Sequence, residues 1–351
     1  MSWKGVVEEY RARLPVGNAA AVTLLEGGTP LIEAPRLASV LNLDARVYLK
    51  FEGLNPTGSF KDRGMTVAIT MAVSEESKAV ICASTGNTSA SAAAYAARAG
   101  LRAFVVVPDG NIALGKLSQA VIHGAVVLAV AGNFDDAFAL VTGIADARPV
   151  TIVNSINPYR LQGQKTAAFE ICDLLGDAPD YHFLPVGNAG NITAYWMGYR
   201  EYRDDARISR LPRMMGFQAA GAAPIVLGRR VEKPETLASA IRIGNPVSWK
   251  RAVAARDESG GDIQSVSDEE IIAAYRLLAS TEGIFGEPAS LATVAGLKKI
   301  AGSGGIEAKS TVVCTLTGHG LKDPSNAIKA CPEPRRIGPD LGEALDAMGL
   351  R

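Results

Sequence analysis

Short runs of β-branched and apolar residues recur along this chain at intervals of helix length, and that alternation limits the fold more than any other feature. Residues 46–51, 79–83, 102–107, 126–130, 150–153, 182–186 and 311–316 read as strands. Ala-rich or amphipathic stretches separate them, the pattern of mostly parallel sheets covered on both faces. The strands are nearly all apolar, as burial on both faces demands. Helix starts are marked too: Ser267 with Glu270 three residues on is a capping-box pattern before Ile271 and Ile272. A chain of 351 residues is too long for one small core, so we expect an α/β protein of two doubly wound domains with a cleft between them. The smaller domain is expected at residues 53–155, and the larger from residues 1–52 and 156–351.

Charge narrows the partner. Lys plus Arg and Asp plus Glu number 36 each, so no net field draws the chain to nucleic acid or to a membrane surface. A small molecule is the expected partner. Lys4, Glu8, Glu9, Arg11 and Arg13 leave no apolar core for a signal peptide, and a cytoplasmic location is expected. Cys82, Cys172, Cys314 and Cys331 lack CxxC spacing, and His123, His182 and His319 are scattered. Reduced thiols and no metal site follow.

Gly, Asn and Ser cluster after several strands, where open α/β sheets bind ligands. Asn55-Pro56-Thr57-Gly58-Ser59-Phe60-Lys61-Asp62-Arg63-Gly64 joins a strand to a helix read at Met65–Val73. Lys61 alone would be a solvated surface charge. Small neighbours that let a planar ring approach, and a helix N-terminus that lowers an amine pKa, instead suit Schiff-base chemistry. Ser84-Thr85-Gly86-Asn87-Thr88-Ser89 follows the next strand. Its hydroxyls and amide exceed what an N-cap needs and suit a carboxylate, and Asn87 offers a donor to a ring oxygen. Gly187-Asn188-Ala189-Gly190-Asn191 precedes a helix, and its small residues let backbone N–H groups converge on a phosphate. It is neither a Walker A loop nor GxGxxG, so it points to a phosphorylated small cofactor rather than a nucleotide. Thr315-Leu316-Thr317-Gly318-His319-Gly320 ends the last strand. A further polar turn, Asn154, Ser155 and Arg160 after the 150–153 strand, suits a second anion, with Lys116 as an added charge.

Together these motifs resemble the threonine synthase family, of the fold type II pyridoxal-phosphate-dependent enzymes, over essentially the whole chain. NPTGSFKDRG, STGNTSAS, GNAGN and TLTGHG stand in that family's order. The resemblance implies that pyridoxal 5'-phosphate lies in the interdomain cleft, held covalently by Lys61. Asn87 would bond the ring hydroxyl, Gly187, Asn188, Ala189, Gly190 and Asn191 the phosphate, and Thr317 would face the ring nitrogen. Ser84, Thr85 and Thr88 would take the substrate carboxylate. The expected substrate is O-phospho-L-homoserine, with Lys116, Asn154, Ser155 and Arg160 around its phosphate, and a homodimer is expected. Gly286 departs from the family pattern, which suggests Cys there. A same-fold threonine or serine dehydratase, and a noncatalytic binding protein, are the alternatives.

Overall fold

The computed structural model describes residues 2–109, 114–331 and 333–350. Ten strands form two sheets. β1 (Leu31–Glu33), β2 (Ala45–Phe51), β7 (Tyr181–Pro185), β8 (Arg213–Ala219), β9 (Asp262–Val266) and β10 (Ser310–Leu316) make the larger, in the order β1-β2-β10-β7-β8-β9. β3 (Ala79–Ala83), β4 (Arg102–Pro108), β5 (Val126–Val130) and β6 (Val150–Ile152) make the smaller, in the order β5-β4-β3-β6. Every pairing is parallel except that of β1 with β2. The α/β class and mostly parallel sheets thus stand as expected. Three strands were not foreseen: β1, β8 and β9. β3, β7 and β10 are buried along their whole length; β3 is apolar throughout, while β7 carries His182 and β10 carries Ser310, Thr311 and Thr315.

The two sheets are held together where the Lys61–Ser74 helix crosses the Pro158–Leu175 helix. The crossing is close because two glycines face it. A Cβ on Gly163 would lie 1.9 Å from the Arg63 carbonyl oxygen, and one on Gly64 would lie 2.7 Å from the Arg160 carbonyl oxygen. Beside this crossing sits a buried ion network. Arg63 donates to both oxygens of Glu52 at 2.6 and 2.8 Å and to both of Glu170 at 2.5 and 2.7 Å. Lys50 Nζ completes it at 2.6 Å from Glu170. Breaking one member of such a network leaves a buried charge uncompensated. Four charged residues and a glycine pair therefore fix the helix that begins at Lys61 against β2 and the helix that carries Arg160.

The capping box at Ser267 is present, with Glu270 reaching back to the Ser267 N–H at 2.7 Å. Cys82, Cys172, Cys314 and Cys331 are free thiols. Among the described residues no helix is long and apolar enough to cross a membrane.

Candidate active site

Lys61 is the first residue of its helix, four residues earlier than the sequence suggested. The motif around it is a strap. Asn55 donates to the Glu52 carboxylate at 3.1 Å and accepts from the Gly27 N–H at 2.9 Å. Asp62 accepts from the Thr57 N–H and hydroxyl at 2.7 and 2.6 Å and from Ser91 at 2.6 Å. Thus Asn55, Thr57, Asp62 and Arg63 are committed to hydrogen bonds that Lys61 does not share, its Nζ 4.3 Å from the Phe60 ring centre. Its amine is pushed down from the ordinary 10.5 to about 7. Burial is the main cause and the Arg160 charge the second, with Glu287 opposing both. Lys61 also stands at the helix N-terminus, as the sequence suggested, and desolvation and a neighbouring cation act on it besides.

The Ser84–Ser89 loop ends β3 and opens the Asn87–Ala99 helix. No side chain caps that helix, so its first N–H groups are not consumed by a cap. Ser84 accepts from the Gly86 N–H at 3.2 Å and Ser89 donates to the Gly86 carbonyl at 2.8 Å. These bonds shape the loop, while Thr85 stays half-buried beside them and Thr88 is buried. Asn87 donates its amide to both oxygens of Glu287, at 3.0 and 3.2 Å.

The Gly187–Asn191 turn ends β7 and opens the Gly190–Asp204 helix, which also lacks a side-chain cap. Ala189 has φ +62°, the left-handed conformation that turns successive N–H groups the same way. Gly187 must be glycine, since a Cβ there would lie 2.9 Å from Ile241 Cα. Asn188 donates to Ser155 Oγ at 3.0 Å and accepts from the Val247 N–H at 2.7 Å. Thr317 ends β10, its hydroxyl 3.0 Å from Ser290 Oγ and 3.4 Å from Glu287 Oε1.

The second polar turn is only partly open to a ligand. Asn154 makes paired bonds to the Ala83 N–H and carbonyl at 2.9 and 3.0 Å, so its side chain already closes the end of β3. Ser155 is engaged by Asn188. Arg160 is not a solvated helix-start charge: it is 1 % exposed. It donates to the Val153 carbonyl at 3.1 Å, its Nε has no partner, and no carboxylate pairs with it among the described residues. Burial lowers it to about 10. A buried cation without a counter-ion is costly unless an anion arrives. The side chain of Lys116 lies outside the described residues.

Unpartnered buried polar atoms gather on these same segments: Ser59 Oγ, Arg160 Nε and both amide atoms of Asn191. Each costs about 1–3 kcal/mol while unpaired, and a bound anionic ligand is the natural completion. An uncapped helix with a left-handed turn, a buried lysine whose amine is lowered to about 7, an amide and a hydroxyl fit a phosphorylated aldehyde cofactor. The model of the family described as "Pyridoxal-phosphate dependent enzyme" matches residues 22–318. The chain belongs to that family. Its relatives narrow the branch. A threonine synthase of Synechocystis is 59 % identical over 99 % of this chain and 91 % of its own. That of Mycobacterium leprae is 58 % identical over 99 % and 97 %, and that of Methanocaldococcus jannaschii 51 % over 95 % and 85 %. Maize serine racemase, TM-score 0.73 at 19 % identity over 98 % of this chain and 96 % of its own, shares the fold. So does a tomato threonine deaminase, TM-score 0.74 at 22 % over 93 % and 86 %. In this chain Asn87 and Thr317 meet at the Glu287 carboxylate, and Arg160 and Glu287 are close enough to Lys61 to shift its amine.

Sequence reasoning missed Glu287. It is 4 % exposed, it begins the Pro288–Gly302 helix, and burial raises its pKa. The segment had drawn notice only for Gly286. A Cβ at Gly286 would meet Leu291 Cδ2 at 3.1 Å and nothing nearer, so that departure leaves little mark. The available signal was a glutamate placed directly before a proline that starts an apolar helix, a position where a carboxylate is held by the chain rather than by solvent.

Proposed function

We infer that the protein catalyses the threonine synthase reaction, converting O-phospho-L-homoserine and water to L-threonine and phosphate. One observation carries the reading beyond its relatives' names. Arg160 is a buried cation without a carboxylate among the described residues, set beside Lys61 on a segment other than the Gly187–Asn191 turn. An enzyme that must hold a cofactor phosphate and a leaving phosphate needs two anion sites, and Arg160 is the candidate for the second.

Pyridoxal phosphate, when bound, supplies the electron sink that makes the substrate's carbon-bound protons acidic. The Gly187, Asn188, Ala189, Gly190 and Asn191 turn would hold its phosphate, Lys61 its carbonyl carbon, Asn87 its ring hydroxyl and Thr317 its ring nitrogen. Ser84, Thr85 and Thr88, with the uncapped N–H groups of their helix, would fix the substrate carboxylate. Lys61 then moves protons. An amine near 7 can take the proton from the α-carbon and then from the β-carbon, and two protons are later returned, one to the γ-carbon, which becomes the methyl group, and one to the α-carbon; neither form of the amine is strongly favoured near neutrality. Arg160 would offset the charge of phosphate as the Cγ–O bond breaks. Water then adds its oxygen at the β-carbon.

Residues 53–155 are proposed as a smaller unit that closes on the remainder, bringing the Ser84–Ser89 loop to the Gly187 turn. The enzyme is proposed to work in the cytoplasm as a homodimer. The test offers the purified, cofactor-loaded protein O-phospho-L-homoserine, L-threonine and L-serine in parallel. Turnover confined to the phosphorylated substrate is expected. Faster release of oxo acid from threonine or serine would make the protein a dehydratase instead.

A further inference from the structure

Glu287 has a position that neither a structural salt bridge nor a helix cap explains. Among the described residues its carboxylate accepts no side-chain hydrogen bond from a cation. It accepts instead from Asn87 Nδ2 at 3.0 and 3.2 Å and from Thr317 Oγ1 at 3.4 Å. Those are the two side chains placed above at the ring hydroxyl and the ring nitrogen. They follow strands of different sheets, Asn87 in the turn after β3 and Thr317 directly after β10, so the carboxylate joins the ends of the two sheets.

The chain makes room for this carboxylate. Gly318 follows Thr317, and a Cβ built on it would lie 2.4 Å from both Glu287 Cδ and Oε1. Gly318 has no positive φ to require glycine; the space is taken by the glutamate. The Glu287 N–H donates to the Gly318 carbonyl at 2.9 Å, and Ser290 Oγ accepts from the Gly318 N–H at 3.0 Å while lying 3.0 Å from Thr317 Oγ1. The backbone of the TLTGHG segment is thus latched to the start of the Pro288–Gly302 helix. The charged groups facing Glu287 are Lys61, from its own helix, and Lys322 and Asp323, from the turn after β10.

Resting on the cofactor site proposed above, we propose that Glu287 is a positioning residue that sets the hydrogen-bond direction of both Asn87 and Thr317. An amide nitrogen has two hydrogens. Giving one to Glu287 fixes the amide plane and leaves the second to be donated to the ring hydroxyl oxygen, with the Asn87 carbonyl turned away from that anion. A hydroxyl has one hydrogen. Glu287 and Ser290 compete for that of Thr317, so the carboxylate decides whether Thr317 meets the ring nitrogen as donor or as acceptor, and with it whether that nitrogen carries a proton. Lys61 is biased by the same charge: a carboxylate across the cleft favours the protonated nitrogen.

The test uses the cofactor-loaded full chain and its absorption band, with no substrate present. Glu287→Gln keeps the shape but exchanges one acceptor for a donor that opposes both Asn87 and Thr317. We expect the variant to keep its fold, to lose affinity for pyridoxal phosphate about tenfold, as for one hydrogen bond to a charged group, and to show the pH midpoint of the bound band moved to lower pH. Gly318→Ala should displace the carboxylate and reproduce the spectral change with Glu287 itself intact. In an Asn87→Ala background Glu287→Gln should cost much less affinity, since its effect passes through that amide. A Glu287→Gln protein whose melting temperature falls while band, midpoint and affinity match the parent would reduce the residue to a structural role and overturn the proposal. So would full additivity with Asn87→Ala. These readouts involve no substrate, so a failure of the threonine synthase reading would leave them standing, and their failure would leave that reading standing. Loss of the whole cofactor site would show separately, as a Lys61→Ala protein that keeps the band.

Discussion

Replacing Arg160 by methionine separates the two effects its guanidinium is placed to have. At about 7, roughly half of the Lys61 amine is unprotonated at pH 7, against about one part in three thousand at the ordinary 10.5. Burial is the larger cause and stays in the variant; the Arg160 charge is the second and goes. The amine should therefore rise, but remain below 10.5. The assay is the rate at which cofactor-free protein takes up pyridoxal phosphate as a function of pH, because only the unprotonated lysine attacks the aldehyde. The parent should show a midpoint near 7 and Arg160→Met a higher one. The same substitution removes the proposed partner of the leaving phosphate. A hydrogen bond to a charged group is worth about 1.5–3 kcal/mol, so kcat/KM for O-phospho-L-homoserine should fall on the order of 10- to 100-fold. Stability should change little, since the lost bond to the Val153 carbonyl, about 1 kcal/mol, is offset by removing a buried charge that has no counter-ion. An unmoved uptake midpoint together with unaltered kinetics would refute the placement of this cation beside both the lysine and the substrate.

Lys61→Ala should abolish turnover and the absorption band of bound cofactor, and a surviving band would mean that another amine holds it. Gly163→Ala forces a methyl against the Arg63 carbonyl; it should destabilise by about 1–3 kcal/mol or more in thermal or denaturant unfolding, and weaken cofactor binding by parting Lys61 from Arg160. Glu170 is held at about 2, below the ordinary 4.5, with Arg63 and Lys50 opposing its desolvation. Its contribution to stability is therefore full above about 4.5 and is lost as pH falls towards 2. Glu170→Gln should cost about 3 kcal/mol at neutral pH, with the difference shrinking through that acid window in urea titrations.

The strands the sequence revealed carry continuous apolar or β-branched runs, whether buried throughout as β3 or largely exposed at the sheet edge as β5. β9 carries Asp262, Gln264 and Ser265 at the edge of the sheet, β1 has three residues and runs antiparallel, and β8 is interrupted by Gly216, so none showed such a run. Local loops were legible because each packs its chemistry into a few consecutive residues. Long-range pairings were not. The Arg63–Glu52–Glu170 network, the glycine crossing and the Asn87–Glu287 bond join residues far apart in the chain, and no spacing announces them. Arg160 shows the difference: its place after a strand marked it as a candidate, but its burial without a counter-ion became visible only in three dimensions.

The account turns on breaking the bond between carbon and the phosphate ester oxygen, and on water adding at the neighbouring carbon. Turnover of O-phospho-L-homoserine in water enriched in ¹⁸O, with threonine and phosphate both analysed by mass, tests this directly. We predict equal amounts of the two products, one labelled oxygen in the threonine hydroxyl and none in the phosphate. Label in the phosphate, or an oxo acid in place of threonine, would contradict it.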